Sequence, residues 1–217
     1  MALAHDVALF RQRDQIALPK WYRWHRHLLL HFTLFSVSFI GVFIWANMVD
    51  LEWSLQNTLL LFSLVLVWAN IEYLIHRFIL HGSSSILRRL AREHSFNHHH
   101  YFTNQDMFAT QRMDLNRILL MPQHLFGVLI LNAIVSSVLS LFAAQLAVIF
   151  CIAGILYSAL YEVIHGISHH SSDTKSPWFD GLRSHHRQHH DLKTMGSTNF
   201  AVVFPIVDSI WGTHAPN

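Results

Sequence analysis

The chain is 217 residues long, 52% hydrophobic and only 13% charged, too apolar and too poor in charge for a water-soluble domain of that size. A formal charge of +2 supplies no basic field for nucleic acid, and the single Cys151, inside an apolar run, excludes both a disulfide framework and a thiolate metal site. A bilayer is the solvent this composition fits, and a lone buried thiol suits a reducing compartment. In chain order, a polar stretch through Lys20 comes first. It lacks the short apolar core and small-residue cleavage site of a secretory signal, so the first span is expected to be a retained anchor.

Four apolar runs follow, at 28–49, 55–75, 125–142 and 146–164, each close to the roughly 20 residues that a membrane-crossing helix needs. The third run is the least sharply bounded, because it can begin at Ile118 and bend at Pro122. Short links from Asp50 to Ser54 and from Ala143 to Gln145 pair the runs into two helical hairpins. With an even number of crossings, both termini and the segment from His76 to His124 share one side, which also carries all 15 Lys and Arg; the hairpin tips carry only Asp50 and Glu52. The positive-inside bias then turns the charged side to the cytoplasm. Trp21, Tyr22, Trp24 and Trp53 suit the interfacial belt and suit ordinary packing equally. The expected architecture is a single all-α integral membrane domain over the whole chain, with four transmembrane helices in two hairpins and a cytoplasmic helical cap.

Histidine is the anomaly. There are 19, more than Lys and Arg together, and most are bunched: His76/His81, His94/His98/His99, His165/His169/His170 and His185/His186/His189/His190. Each hairpin runs into a histidine pair and then a denser cluster, a weak internal duplication whose simplest use is two half-sites meeting at one surface. Imidazole is the commonest neutral metal ligand. On a regular helix, positions i, i+3 and i+4 share a face, which directs His165 with His169, His94 with His98, and His186 with His189 and His190 each into one site. His76 and His81 are five apart, about 140° on an α-helix, so they must straddle a helix end or serve different metals; Gly82 stands where a glycine cap would end the helix. The doublets His98–His99 and His189–His190 diverge, as suits feeding two metals. Ten ligands exceed what one ion takes, and two ions fit.

Glu72 and Glu162 precede His76 and His165 by four and three residues, from where a carboxylate can accept the spare imidazole N–H, ligate directly, or merely cap the helix. His100, His170 and His185 adjoin the clusters as bystanders, outer-sphere donors or substrate contacts. For His5, His25, His27, His31, His124 and His214 an interfacial or surface position is expected.

The chain resembles the fatty acid hydroxylase and sterol desaturase superfamily of integral membrane di-iron enzymes. The matching stretches are Glu72-Tyr-Leu-Ile-His-Arg-Phe-Ile-Leu-His81, His94-Ser-Phe-Asn-His-His99, Tyr161-Glu-Val-Ile-His-Gly-Ile-Ser-His-His170 and His186-Arg-Gln-His-His190, followed by Asn199-Phe200, Phe204-Pro205, Asp208 and Trp211-Gly212-Thr213. By that resemblance the metal ligands are His76, His81, His94, His98, His99, His165, His169, His186, His189 and His190, with Asp208 joining Glu72 and Glu162 as a candidate supporting group. An extra histidine beside three of the boxes leaves their register open by one residue. The resemblance further implies two irons that activate O2 to oxidise an unactivated C–H bond of a lipid-like substrate. The product is an alcohol or, after loss of a second hydrogen, an alkene. A separate ferredoxin or cytochrome-type electron donor is implied as well. Zinc also suits such sites and, being redox-inert, would silence them.

A metal transporter is the rival reading, and it places ligands near the bilayer midplane, where this chain has no histidine and little polar beyond Asn132. A haem electron carrier meets the same objection. A structural membrane protein that binds metal incidentally is a third reading. The stripe Phe32, Phe35, Phe39 and Phe43 reads as helix packing before it reads as an acyl channel.

Overall fold

A computed structural model describes residues 2–17, 24–171 and 176–216, and all its regular elements are helical. They are α1 (Ala2–Ala17), α2 (Trp24–Met48), α3 (Leu55–Ile75) running on into a π-helical turn (His76–Leu80), and α4 (Arg88–Ala91) running into a second π-helical turn (Arg92–His98). Next come α5 (His99–Tyr101), a 3-10 turn (Arg112–Asp114), α6 (Leu115–Ile118), α7 (Pro122–Ser140), α8 (Ala144–Ser168), α9 (Pro177–His189) and α10 (Ile206–Trp211). Trp21 and Tyr22, assigned to the interfacial belt, lie outside the described residues, as do Lys20, Lys175 and the side chain of His5. Trp24 lies under the Arg112 guanidinium, its ring centre 5.7 Å from the guanidinium carbon.

Four helices, Trp24–Met48, Leu55–Leu80, Arg112–Ser140 and Ala144–Ser168, are long and apolar enough to cross a membrane. Ser54 caps α3 by accepting the Asn57 N–H at 3.1 Å. At the third span Pro122 starts the helix instead of bending it. Met121 before it is extended (φ −58°, ψ 137°), as a pre-proline residue prefers, and proline occupies the first helical turn, where its missing N–H costs nothing.

The short link joins α2 to α3, yet both pack on α8 in preference to each other. α8 is the helix most enclosed by protein, while α2, α3 and α7 expose residues such as Phe32, Phe43, Phe62 and Ile134 as a lipid-facing helix would. Small residues make this centre possible. A Cβ on Gly154 would lie 2.6 Å from both Trp68 of α3 and Asn132 of α7, so the three helices approach as closely as they do only around a glycine. Asn132, a strongly polar mid-span residue, is satisfied across that contact by donating to the Cys151 carbonyl at 3.0 Å. Opposite the hairpin tips, α1, α4 to α6, α9 and α10 form a cap. Arg117 holds α1 there through Asp14 at 2.6 Å, and Arg11 donates to the Tyr101 carbonyl at 2.7 Å.

Candidate metal centre

All ten histidines meet where the helix ends enter the cap, in two groups of five. One is His76, His81, His94, His99 and His189; the other is His98, His165, His169, His186 and His190; within each, the facing ring nitrogens lie within 4.8 Å of one another. The division differs from the helical-face expectation at three points, and backbone geometry explains each. His81 N–H bonds to the His76 carbonyl at 3.0 Å, five residues back, and His99 N–H likewise reaches the His94 carbonyl. These are π-helical turns, in which i and i+5 come into register. His76 with His81 and His94 with His99 therefore share the first group, and His94 parts from His98. In the second half of the chain, α-helix keeps the i, i+4 pairs His165/His169 and His186/His190 together, while His189 turns away from His186 to the other group. The duplication thus has a crossover: the middle histidine of each triplet, His98 and His189, joins the group built by the other half.

Gly82 closes the first π turn, but not as a left-handed cap. A Cβ there would stand 2.0 Å from the Phe78 carbonyl oxygen, so only glycine lets the backbone pass. Gly82→Ala is expected to push His81 out of its group and to lower bound metal by about tenfold, the scale of a lost supporting contact, as read by metal analysis of the purified protein. Full metal content in the variant would contradict this.

The tautomers follow from the second ring nitrogen. Nδ1 of His98 donates to the Arg117 carbonyl at 2.6 Å, His169 to Met107 at 3.0 Å and His189 to Thr198 at 2.9 Å; His76 donates to Phe200 and His190 to Phe102. Burial pushes the pKa of His189, His98, His169 and His190 well below the ordinary value, with neighbouring imidazoles adding to the effect, and pushes that of His81 down to about 2. A neutral ring with a proton on Nδ1 presents a lone pair at Nε2. The Nε2 atoms of His76 and His189 face each other at 3.0 Å although neither has a proton to give. His169 and His186 face each other at 3.1 Å, and the buried Nε2 of His98 has no hydrogen-bond partner. Lone pairs converging in a buried space want a cation, and imidazole suits zinc, copper, iron and nickel. The residues fit a metal in each group.

Neither glutamate meets the histidine it precedes. Glu72 accepts the Val202 N–H at 3.0 Å and the Tyr157 hydroxyl at 2.8 Å, anchoring the segment that carries the Phe200 carbonyl. Glu162 accepts the Leu120 N–H at 3.3 Å, near the segment that carries the Arg117 carbonyl. Each carboxylate thus fixes a strap that carries, or lies near, the carbonyl holding a grouped histidine, His76 in one case and His98 in the other. His27 and His31 also depart from the surface position expected of them. Both are buried in α2, where His27 Nε2 donates to the Leu120 carbonyl at 2.8 Å and His31 Nε2 lies 3.5 Å from Glu162. The need to satisfy the glutamate and the broken backbone before Pro122 draws them inward. His25 and His214 are exposed, and His124 is half-buried.

Of the remaining candidates, His100 packs on Phe96 and His170 is exposed, both outside the groups. His185 donates to Asp208 at 3.0 Å. Asp208, fully buried, also accepts the N–H groups of Phe200 and Ala201 at 2.8 Å each and the Thr213 hydroxyl at 2.7 Å. Burial alone would raise its pKa; those hydrogen bonds outweigh it and hold the carboxyl below its ordinary range. Asn199, at φ 55°, makes the turn before Phe200 and ties it to α9 through the His185 carbonyl at 3.1 Å.

Helices long and apolar enough to cross a membrane that end in paired five-histidine groups define a class of membrane protein with a site able to hold metal. The sequence profile described as fatty acid hydroxylase matches residues 61–213. The chain belongs to the fatty acid hydroxylase family, within the fatty acid hydroxylase and sterol desaturase superfamily, and is accordingly a hydroxylase-type oxidoreductase. No curated protein matches it in sequence. A solved structure described as full-length Scs7p, with only the hydroxylase domain visible, has the same fold, with a TM-score of 0.62 at 24% identity over 89% of this chain and 67% of that one.

Proposed function

We propose that the chain is a single-domain, O2-dependent di-iron monooxygenase that hydroxylates an unactivated C–H bond of a lipid-like substrate. The ten grouped histidines are its ligands, five to each iron. The observation that carries this reading is the convergence of proton-free Nε2 atoms, above all His76 facing His189 at 3.0 Å. Five nitrogens in each group exceed the four ligands of a structural zinc site and would suit iron.

When bound, iron supplies the activation of O2 and the oxidation of the C–H bond. The protein does the rest. The carbonyls of Phe200, Arg117, Met107, Thr198 and Phe102 hold the tautomers of His76, His98, His169, His189 and His190, the straps fixed by Glu72, Glu162 and Asp208 carry the first two of those carbonyls, and burial keeps the rings neutral and water out. Desaturation is the alternative outcome on the same scaffold. Both termini and the site are proposed to face the cytoplasm, on the charge asymmetry of the loops, and a separate ferredoxin or cytochrome-type protein to deliver electrons.

Protein purified after iron-replete expression and reconstituted in bilayers is expected to hold about two irons per chain, and 18O2 is expected to label an alcohol product in lipid extracts. One iron or none, or an alcohol without label, would refute the reading. A protease-sensitive tag at the C-terminus checks orientation; cleavage from outside intact cells would reverse it.

A further inference from the structure

The backbone breaks between α6 and α7, where Leu119 and Met121 are both extended and Pro122 has no N–H to give. Leu120 is left there with an N–H and a carbonyl that must find partners outside a helix. Two spans supply them. Glu162 of α8 accepts the Leu120 N–H at 3.3 Å, and His27 of α2 donates from Nε2 to the Leu120 carbonyl at 2.8 Å. His31, one turn along α2, joins the two side chains. Its Nδ1 donates to the His27 carbonyl at 3.0 Å, and its Nε2 lies 3.5 Å from Glu162. The circuit closes on itself, with His27, His31 and Glu162 at only 1%, 5% and 6% exposure. Two imidazoles and a carboxylate buried on helices of this kind are costly to desolvate and call for a function.

The residues ahead of Leu120 lead to one histidine group and not the other. Three residues back, the Arg117 carbonyl accepts from His98 Nδ1 at 2.6 Å, and the Ile118 backbone lies beside the His165 ring. Both imidazoles belong to the second group. The first group takes its outer partners from elsewhere: His76 from Phe200, His189 from Thr198 and His81 from the Ser95 hydroxyl. Asp14 and Glu93 fix the Arg117 side chain from the cap. The circuit fixes the same segment from the side of the spans.

We infer that His27 and His31 are positioning residues for the second metal group alone: with Glu162 they clamp Leu120 between α2 and α8 and so hold the Arg117 carbonyl on His98. The inference rests on the two-group centre proposed above. It gives α2, which contributes no ligand to either group, a part in building one of them.

The test separates the groups. In full-length protein carrying His189→Ala the remaining metal belongs to the second group; in protein carrying His98→Ala it belongs to the first. Iron retained against a chelator is measured in both backgrounds after adding His27→Leu or His31→Leu. Each is expected to weaken retention at least about tenfold in the His189→Ala background, the scale of a lost outer partner, and to leave it unchanged in the His98→Ala background. His31→Leu keeps the direct bond from His27 to Leu120, so it carries the comparison if His27→Leu fails to fold. His31→Gln, whose amide can still donate to Glu162, is expected to restore most of the retention. A merely structural role would lower retention in both backgrounds alike. That outcome, or no change in either, overturns the inference.

Hydrogen exchange of the metal-free full chain in lipid nanodiscs reads the clamp independently of the metal. Both leucine variants are expected to speed exchange in peptides containing Leu120 and to leave peptides containing Phe200 at wild-type rates. Unchanged exchange at Leu120 contradicts the clamp. Should His189→Ala and His98→Ala fail to divide the metal between them, the two-group reading falls, and the exchange result still decides the clamp.

Discussion

His189→Ala is expected to strip the metal from one histidine group and leave the other loaded. His189 is carried by α9, whose His186 belongs to the other group, yet its Nε2 lies 3.0 Å from that of His76 and 3.1 Å from that of His81. Removing it takes away one of five ligands and the only one that the second half contributes to that group. The affinity loss should exceed the roughly 10–100-fold typical of a lost outer partner. His98→Ala is the mirror case, emptying the group formed with His165, His169, His186 and His190. Metal analysis of the two single variants and the double variant reads the result: about half the wild-type metal in each single variant, next to none in the double. Neither change touches a span, so membrane insertion persists. Unchanged stoichiometry in both single variants would contradict the crossover as a ligand arrangement.

Asp208→Ala is expected to be the most destabilising polar substitution in the cap. The carboxylate accepts from four donors, His185, Thr213 and the backbone of Phe200 and Ala201. A buried donor without a partner costs about 1–3 kcal/mol, so the loss is on the order of 5 kcal/mol, a large share of the stability of an ordinary domain. Because Phe200 carries the carbonyl that holds His76, metal should be lost along with stability. Asp208→Asn tests the charge at constant shape, since its amide must point two hydrogens into a ring of donors. Thermal unfolding in detergent checks both, and a melting point within a degree of wild type would contradict the role. The sign of the pH effect follows from the lowered pKa. The contribution is complete above the ordinary aspartate range, near 3.8, and is lost as the pH falls through the lower folded value, so acid should narrow the gap between wild type and Asp208→Ala.

Some of this architecture is open to inspection in the residues themselves. The spans are read from runs of apolar residues, a local property, and the observed ends lie within a few residues of those runs everywhere but at the start of the third, which begins earlier, at Arg112. The extra histidines beside the boxes fall outside both groups: His100 lies against Phe96, His170 is exposed, and His185 serves Asp208. Spacing misled where the helix itself changed pitch. Nothing in Arg92 to His98 announces a π turn, and an α-helical count pairs His94 with His98 where the chain pairs His94 with His99. Glu72 and Glu162 were conspicuous as carboxylates near the ends of spans, but their partners, the N–H groups of Val202 and Leu120, belong to backbone 130 and 42 residues away. His27 and His31 are four apart and share a helical face, but they stand at the start of the first span, away from the other clusters; their burial follows from the broken backbone ahead of Pro122.

By itself the sequence determined four runs long and apolar enough to cross a membrane and the clusters that supply the ten grouped histidines, because hydropathy and spacing depend only on order along the chain. Only the tertiary structure decided which histidine joins which group, which carbonyls set the tautomers of His76, His98, His169, His189 and His190, and where a cleft opens beside His76. Those choices depend on helix pitch, on a glycine-mediated approach of three helices at Gly154 and on hydrogen bonds to main-chain atoms, which every residue possesses and no residue type advertises.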